Sequence, residues 1–165
     1  MKLARLATRT IIGGLMVGHG TQKLAGWFGG SGLEATAAGF ESMGLRPGRR
    51  NAIAAGVAEA GGGALLALGA ATPLAGAALI GTMITAIRTV HLKNGPWASN
   101  GGYEYNLVLI AAIAMLVEAG PGCLSIDGAR GSQRKGVCWA AAAVAAGVAG
   151  SFAATTLAAR EAPAA

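Results

Sequence analysis

Charge is what this sequence has least of. Asp, Glu, Lys and Arg make up 12% of its 165 residues, about half the ~25% usual in soluble domains. So few charges cannot cover a water-facing surface, and a 53% hydrophobic content excludes an intrinsically disordered chain. Aromatic residues are scarce at 5%. No basic stripe interleaves with them, so the net charge of +6 does not read as nucleic-acid recognition. The cysteines, Cys123 and Cys138, form no CxxC pair, which removes a dithiol redox centre and a disulfide framework. Rossmann, P-loop and HExxH motifs are absent, and no metal centre is predicted. What is abundant is glycine, 28 residues without a G-X-Y period, set inside long apolar runs with a mean hydropathy of +0.53. Small residues in such runs let membrane helices pack closely.

A spanning helix needs about 20 mainly apolar residues. Five segments meet this: Leu6 to Phe28, Asn51 to Leu68, Pro73 to Leu92, Tyr103 to Gly120, and Val137 to Ala159. The N-terminal cations Lys2, Arg5 and Arg9 resemble a signal peptide, but His19 and Lys23 interrupt the run and no A-x-A site follows. The segment therefore reads as a retained first helix. Gly14-x-x-x-Gly18 offers it a close-packing face. A shorter amphipathic helix is expected from Leu33 to Gly44, started by a capping box of Ser31 and Glu34 and lying at the interface. Gly61-Gly62-Gly63 either packs closely or loosens the second span. Thr72 is expected to cap the third span with Pro73 at its first position. The tail after Arg160 is expected to fray. The fold class is all-α: a polytopic transmembrane bundle of four helices, plus a fifth C-terminal helix and a short interfacial one.

Several motifs occur in a fixed order over residues 5–130. The first is Gly18-His19-Gly20-Thr21-Gln22-Lys23-Leu24, with Gly26-Trp27-Phe28-Gly29-Gly30. Next comes Ala55-Gly56-Val57-Ala58-Glu59-Ala60-Gly61-Gly62-Gly63. The third is Ala86-Ile87-Arg88-Thr89-Val90-His91-Leu92-Lys93-Asn94-Gly95. Then follow Gly101-Gly102-Tyr103-Glu104-Tyr105-Asn106 and Gly120-Pro121-Gly122, with Ser125-Ile126-Asp127. As a set they resemble the DoxX family of small integral membrane proteins. The resemblance implies a four-helix membrane bundle and a place in oxidoreductase assemblies linked to quinones, sulfur compounds or oxidative stress. The fifth helix and the cysteine after Gly-Pro-Gly depart from that pattern. Residues 1–130 are thus expected to form the DoxX-like bundle, and residues 131–165 a linker and an additional transmembrane helix.

Antiparallel spans put the end of the first, the start of the second, the end of the third and the start of the fourth on one side. His19, Lys23, Glu59, Arg88, His91, Tyr103 and Glu104 are expected to gather there, while the opposite ends at Gly69 to Pro73 look nearly bare. A charge on an isolated span costs about 2.5–3.5 kcal/mol on insertion scales. Glu59 should therefore pair with Arg88, Lys23 or His19. That pair could simply lock the bundle, or belong to a polar pocket; the two are compatible. The pocket is expected to be bordered by His19, Lys23, Glu59, Arg88 and His91, with Tyr103 and Glu104 at its mouth. Residues 33–45 and the 94–102 loop would cover it, and it would open toward Trp27 and Trp97. His19, Glu59, Arg88 and His91 are the candidates for catalytic work. A quinone head or a small oxyanion would suit them, since the cations attract negative charge and histidine titrates near neutrality. The aromatics on that side read as an interfacial belt or as a stacking wall. A trio of His19, Glu59 and His91 lacks any local metal-binding spacing. The fifth span should pack through Ala146-x-x-x-Gly150 or Gly147-x-x-x-Ser151, on the core or on a neighbouring copy.

The expected function is a membrane subunit of an oxidoreductase system that binds a quinone or small oxyanion, without a redox cofactor motif of its own. The alternative is a non-catalytic membrane scaffold that anchors or assembles partner enzymes. A carrier ranks last, because no inverted repeat is present. The expected partners are the lipid bilayer and redox enzymes, with a homo-oligomer left open and no nucleic acid. The expected location is the cell membrane, as a multi-pass protein. The positive-inside rule gives six cations inside against seven outside for an N-inside chain. Removing buried Lys23 and Arg88 makes it six against five and favours N-inside.

Overall fold

A computed structural model describes residues 2–160, apart from the side chain of Lys2; the tail beyond Arg160 lies outside the described residues. The chain is all helical there. It runs α1 (Lys2–Ala25), α2 (Gly32–Ser42), α3 (Gly48–Leu68), α4 (Thr72–Ala86), α5 (Glu104–Ala119), the short α6 (Ile126–Ala129) and α7 (Val137–Arg160). A π-helical turn over Ile87–His91 and a 3-10 turn over Leu92–Asn94 extend α4. Five of these helices match the five expected spans, and α2 matches the short interfacial one. Three helices are long and apolar enough to cross a membrane by length and composition: Gly48–Leu68, Thr72–Asn94 and Val137–Arg160. Helix α1 has the length but carries Arg5, Arg9, His19 and Lys23, and α5 has only 16 residues.

Helices α1 and α3 form the most extensive pair, followed by α4 and α7. The α1–α3 contact depends on glycines spaced seven apart, two helical turns on one face. A Cβ on Gly20 would lie 2.5 Å from the Gly56 carbonyl oxygen, and one on Gly63 would lie 2.6 Å from the Gly13 carbonyl oxygen. Gly14 and Gly18 instead face open space, so the close approach uses Gly13 and Gly20 rather than the expected Gly14-x-x-x-Gly18. The Gly61–Gly63 run leaves α3 unbroken; Gly62 and Gly63 are buried and Gly61 is open. Ile12, Met16, Leu66, Leu79, Ile80 and Ile113 form the core between α1, α3, α4 and α5. Helix α7 packs inside the same chain through buried Gly147 and Ser151. Gly150 faces open space, so of the two expected faces the Gly147-x-x-x-Ser151 one is used.

Two caps differ from expectation. Ser31 is helical in backbone and makes no side-chain capping bond; Glu34 reaches the exposed Arg49 at 3.3 Å instead. Thr72 does not cap α4. It is the first residue of the helix, preceded by Ala71 in a left-handed conformation, and the capping group is Asp127 from α6. The Asp127 carboxylate accepts from the Ala71 amide at 2.9 Å, the Thr72 amide at 3.1 Å and the Thr72 hydroxyl at 3.0 Å. Orphan amides at a helix start favour a carboxylate there.

That end of the bundle, expected to be nearly bare, holds a second polar cluster. Arg9 is buried and donates to the Leu124 carbonyl. Gly69, at φ 63°, closes α3, and any Cβ there would collide with the Arg9 guanidinium. Arg5 caps the end of α5 by donating to the Ala119 carbonyl at 2.8 Å. Burial alone would raise the Asp127 pKa. The amides of Thr72 and Ala71, the Thr72 hydroxyl and the charge of Arg130 outweigh it, so the carboxyl is held below its ordinary range.

Candidate functional site

A half-open groove of about 540 Å³ lies on the face of α4 between α3 and α7. That is within the ~300–1,000 Å³ range of small-molecule sites. Its walls follow from small residues. Ala54, Ala55 and Ala58 on α3 face Ala146, Gly150 and Ala154 on α7, and Ala77, Ala78 and Gly81 form its floor. Because α3 and α7 both pack on α4, and their side chains here are short, a channel remains between them.

Part of the groove lining is polar. Lys23 comes from the last turn of α1, and its Nζ lies 2.6 Å from Glu59 Oε2. The Glu59 side chain is 8% exposed and that of Lys23 27%. This close approach exists because Gly20 and Gly56, one turn away on each helix, bring α1 onto α3. Phe40, Met43 and Leu45, at and just after the end of α2, also border the groove, as does Asn51 in the first turn of α3. The expected cover by residues 33–45 is therefore present in part, whereas the 94–102 loop does not line the groove.

The polar lining continues along α4 and α7. Thr82, Thr85 and Thr89 recur at helical spacing on α4, and Ser151 and Thr155 face them from α7. Thr82 donates to the Leu79 carbonyl at 2.8 Å, Thr85 to Gly81 at 2.8 Å and Thr89 to Thr85 at 2.8 Å. Sequence reading missed this set. The signal was present as i, i+3, i+7 spacing, but threonines inside an apolar span most often only satisfy their own helix.

Of the residues expected at the site, the structure brings together Lys23 and Glu59 and separates the rest. His19 is exposed on α1 and does not line the groove. Arg88 is not the partner of Glu59. It sits in the π-helical turn, donates to Ser151 Oγ at 3.1 Å and Thr155 Oγ1 at 3.2 Å, and stacks 3.7 Å from the centre of the Phe152 ring. The reason is the fifth helix, whose hydroxyls and ring meet α4 where the four-helix scheme left a vacant face. His91 Nδ1 lies 2.8 Å from the Gly101 carbonyl, which also accepts from Asn94 at 3.1 Å. A carbonyl only accepts, so Nδ1 carries the proton. Glu104 accepts from the Ala98 amide at 2.9 Å, and Tyr103 precedes the first turn of α5. Both order the 95–103 loop, away from the groove. Asn106, also missed, is buried 3.4 Å from the Met83 sulfur.

Trp27, Phe28 and Trp97 are exposed on the same side as the Lys23–Glu59 pair, as an interfacial belt requires. Cys123 and Cys138 are both free and exposed at the other end. Among the described residues no three of His, Cys, Asp and Glu gather as a metal site.

The groove is thus a largely apolar channel with one ion pair in its lining and hydroxyls along its α4 and α7 sides. Such a site can hold a long apolar molecule by its tail and orient its head by hydrogen bonds. A family model described as DoxX matches residues 4–92, more than half of the chain. That segment contains nearly all of α1 and the whole of α2 to α4, and so the α3 wall and the α4 floor of the groove. No curated protein and no solved structure matches the chain.

Proposed function

This chain belongs to the DoxX family and is a multi-pass membrane protein, and we propose that it is the membrane subunit of an oxidoreductase system that holds a quinone-class molecule in the groove between α3 and α7. The observation that carries this reading is the groove itself: about 540 Å³, lined mainly by small and aliphatic side chains, with the Lys23–Glu59 pair and a run of hydroxyls set into that lining. A prenylated ring matches that lining. Its tail would lie along Ala77, Ala78 and Ala146, and its ring would sit beside Lys23, Glu59 and Thr82.

The site residues divide into two roles in this reading. Lys23 and Glu59 contact the head group, and Lys23 keeps two further N–H donors beyond the one given to Glu59. Arg88 acts as a positioning residue that fixes α7 as the groove wall. His19, His91, Tyr103 and Glu104 belong to the outer surface and loop where a redox enzyme would dock. A small oxyanion suits the groove less well, because each cation near it already has partners. In this reading residues 131–165 are an addition to the bundle of residues 1–130, and that addition completes the groove.

Purification from native membranes followed by mass spectrometry of bound lipids, quinones and proteins tests the proposal. The expected result is a quinone that copurifies with the wild type and is lost in Gly150→Leu. Gly150 lines the groove and a Cβ there meets nothing within 4 Å, so a larger side chain starts in open space at the groove and should obstruct it. Reproducible protein partners with an empty groove would instead support the scaffold.

A further inference from the structure

The directions of the hydrogen bonds in the groove carry more than its shape. A hydroxyl has one proton to give and two lone pairs with which to accept. The Thr82 and Thr89 protons go to the carbonyls of Leu79 and Thr85. Thr155 turns its proton to the Ser151 carbonyl at 3.0 Å. Thr85 gives its single proton to the Gly81 carbonyl, so the 2.9 Å bond between the Thr85 and Ser151 hydroxyls takes the Ser151 proton. Arg88 then feeds its donors to Ser151 and Thr155 from behind. Asn51 gives one amide N–H to the Pro47 carbonyl at 2.9 Å, leaving its second N–H and its side-chain oxygen unspent. Glu59 accepts from Lys23 through Oε2 and retains Oε1. The hydroxyl protons of Thr82, Thr85, Thr89, Ser151 and Thr155 are all turned into the protein. Oxygen lone pairs are most of what remains, beside two donor groups, Lys23 Nζ and the second Asn51 N–H.

We infer that the groove selects a lipophilic molecule whose head donates hydrogen bonds, a phenol, hydroquinone or alcohol, over one whose head only accepts them. This deepens the reading of the groove given above and rests on it: of a quinone couple, the reduced, hydroxyl-bearing member is the one held. The binding claim involves no electron transfer. The donor-bearing head would give its hydroxyl protons to Thr82, Asn51 or Glu59, while Lys23 serves one head-group oxygen.

Two redox-inert probes separate the donor from everything else. 4-Nonylphenol and 4-nonylanisole share ring and chain, and the second lacks only the hydroxyl proton. Binding of each to the full chain in lipid nanodiscs is measured for the wild type, Thr82→Val, Thr89→Val and Gly150→Leu. The expected result is a preference for the phenol of about fivefold or more, the worth of one net hydrogen bond. Thr82→Val should bring that ratio toward one, because it removes the acceptor beside the ring at constant shape, whereas Thr89→Val, about 10 Å further along the helix, should leave it unchanged. Gly150→Leu should weaken both probes by obstruction. Equal affinity, or a preference for the anisole, with Gly150→Leu still blocking both, overturns the inference and leaves the groove reading standing. No saturable binding of either probe overturns both. Decylubiquinol and decylubiquinone under anaerobic conditions should follow the same order, and tighter binding of the oxidised form would overturn the selection.

Discussion

Replacing Asp127 by alanine removes the cap on which the start of α4 depends. Three donors converge on that carboxylate at 2.9, 3.1 and 3.0 Å. Thr72 is 1% exposed, so its amide and hydroxyl have no solvent to turn to. Leaving a buried polar group unsatisfied costs about 1–3 kcal/mol, and losing an N-cap about 0.5–2 kcal/mol. The two overlap, since the lost cap is one of the orphaned donors, and Asp127→Ala should cost roughly 3–4 kcal/mol. Asp127→Asn keeps one oxygen and should cost about half as much. The pH dependence has a definite sign. A folded-state pKa held below the ordinary carboxylate value means this stabilisation is complete above about pH 4 and is lost as pH falls through the depressed value. The assay is a thermal melt in detergent micelles by far-UV circular dichroism, run from neutral to acid pH. Wild type should lose more stability than Asp127→Asn across the acid range. An Asp127→Ala melt equal to wild type, or parallel acid curves for wild type and Asp127→Asn, would refute the capping argument.

Other substitutions probe the packing and the orientation. Gly63→Leu should destabilise by about 3 kcal/mol or prevent assembly, because its Cβ meets backbone on α1, whereas Gly61→Ala, in open space, should leave the melt unchanged. Arg88→Ala should cost about 2–3 kcal/mol through two lost hydrogen bonds and the Phe152 stack, and protease sensitivity should rise in α7 first. Cys123 and Cys138 are free and exposed at one end of the bundle, so a membrane-impermeant maleimide should treat them alike. With the N-terminus inside, neither should label in intact cells and both should label after permeabilisation; labelling of intact cells would reverse the orientation.

Helix positions were readable because apolar runs and Gly and Pro breaks are local signals. The ends of α3 and α7 and the start of α4 fall within a few residues of expectation for that reason. Which face a helix turns inward is not local in a sequence this rich in small residues. Gly14-x-x-x-Gly18 and the Gly13–Gly20 pair look equally good until α3 is in place, and only the second meets it. The partners of charged groups were harder still. Glu59 was correctly expected to find a cation, and Lys23 is the one it meets. The partners of Arg88 exist only once α7 is in place, because Ser151, Phe152 and Thr155 lie more than 60 residues away in the chain. The Arg9–Gly69–Asp127 end escaped notice for the same reason, since α6 arrives there from beyond α5.

Photolabelling with an azido-quinone analogue addresses the central claim most directly. Full-length protein in native-like membranes is irradiated with the probe, digested, and the labelled peptides are sequenced by mass spectrometry. Label should map to α3, α4 and α7 around Ala58, Thr82 and Gly150, compete with unlabelled quinol, and disappear in Gly150→Leu. Label confined to the outer face of α1, or label at the groove that Gly150→Leu leaves intact, would contradict the groove as the binding site.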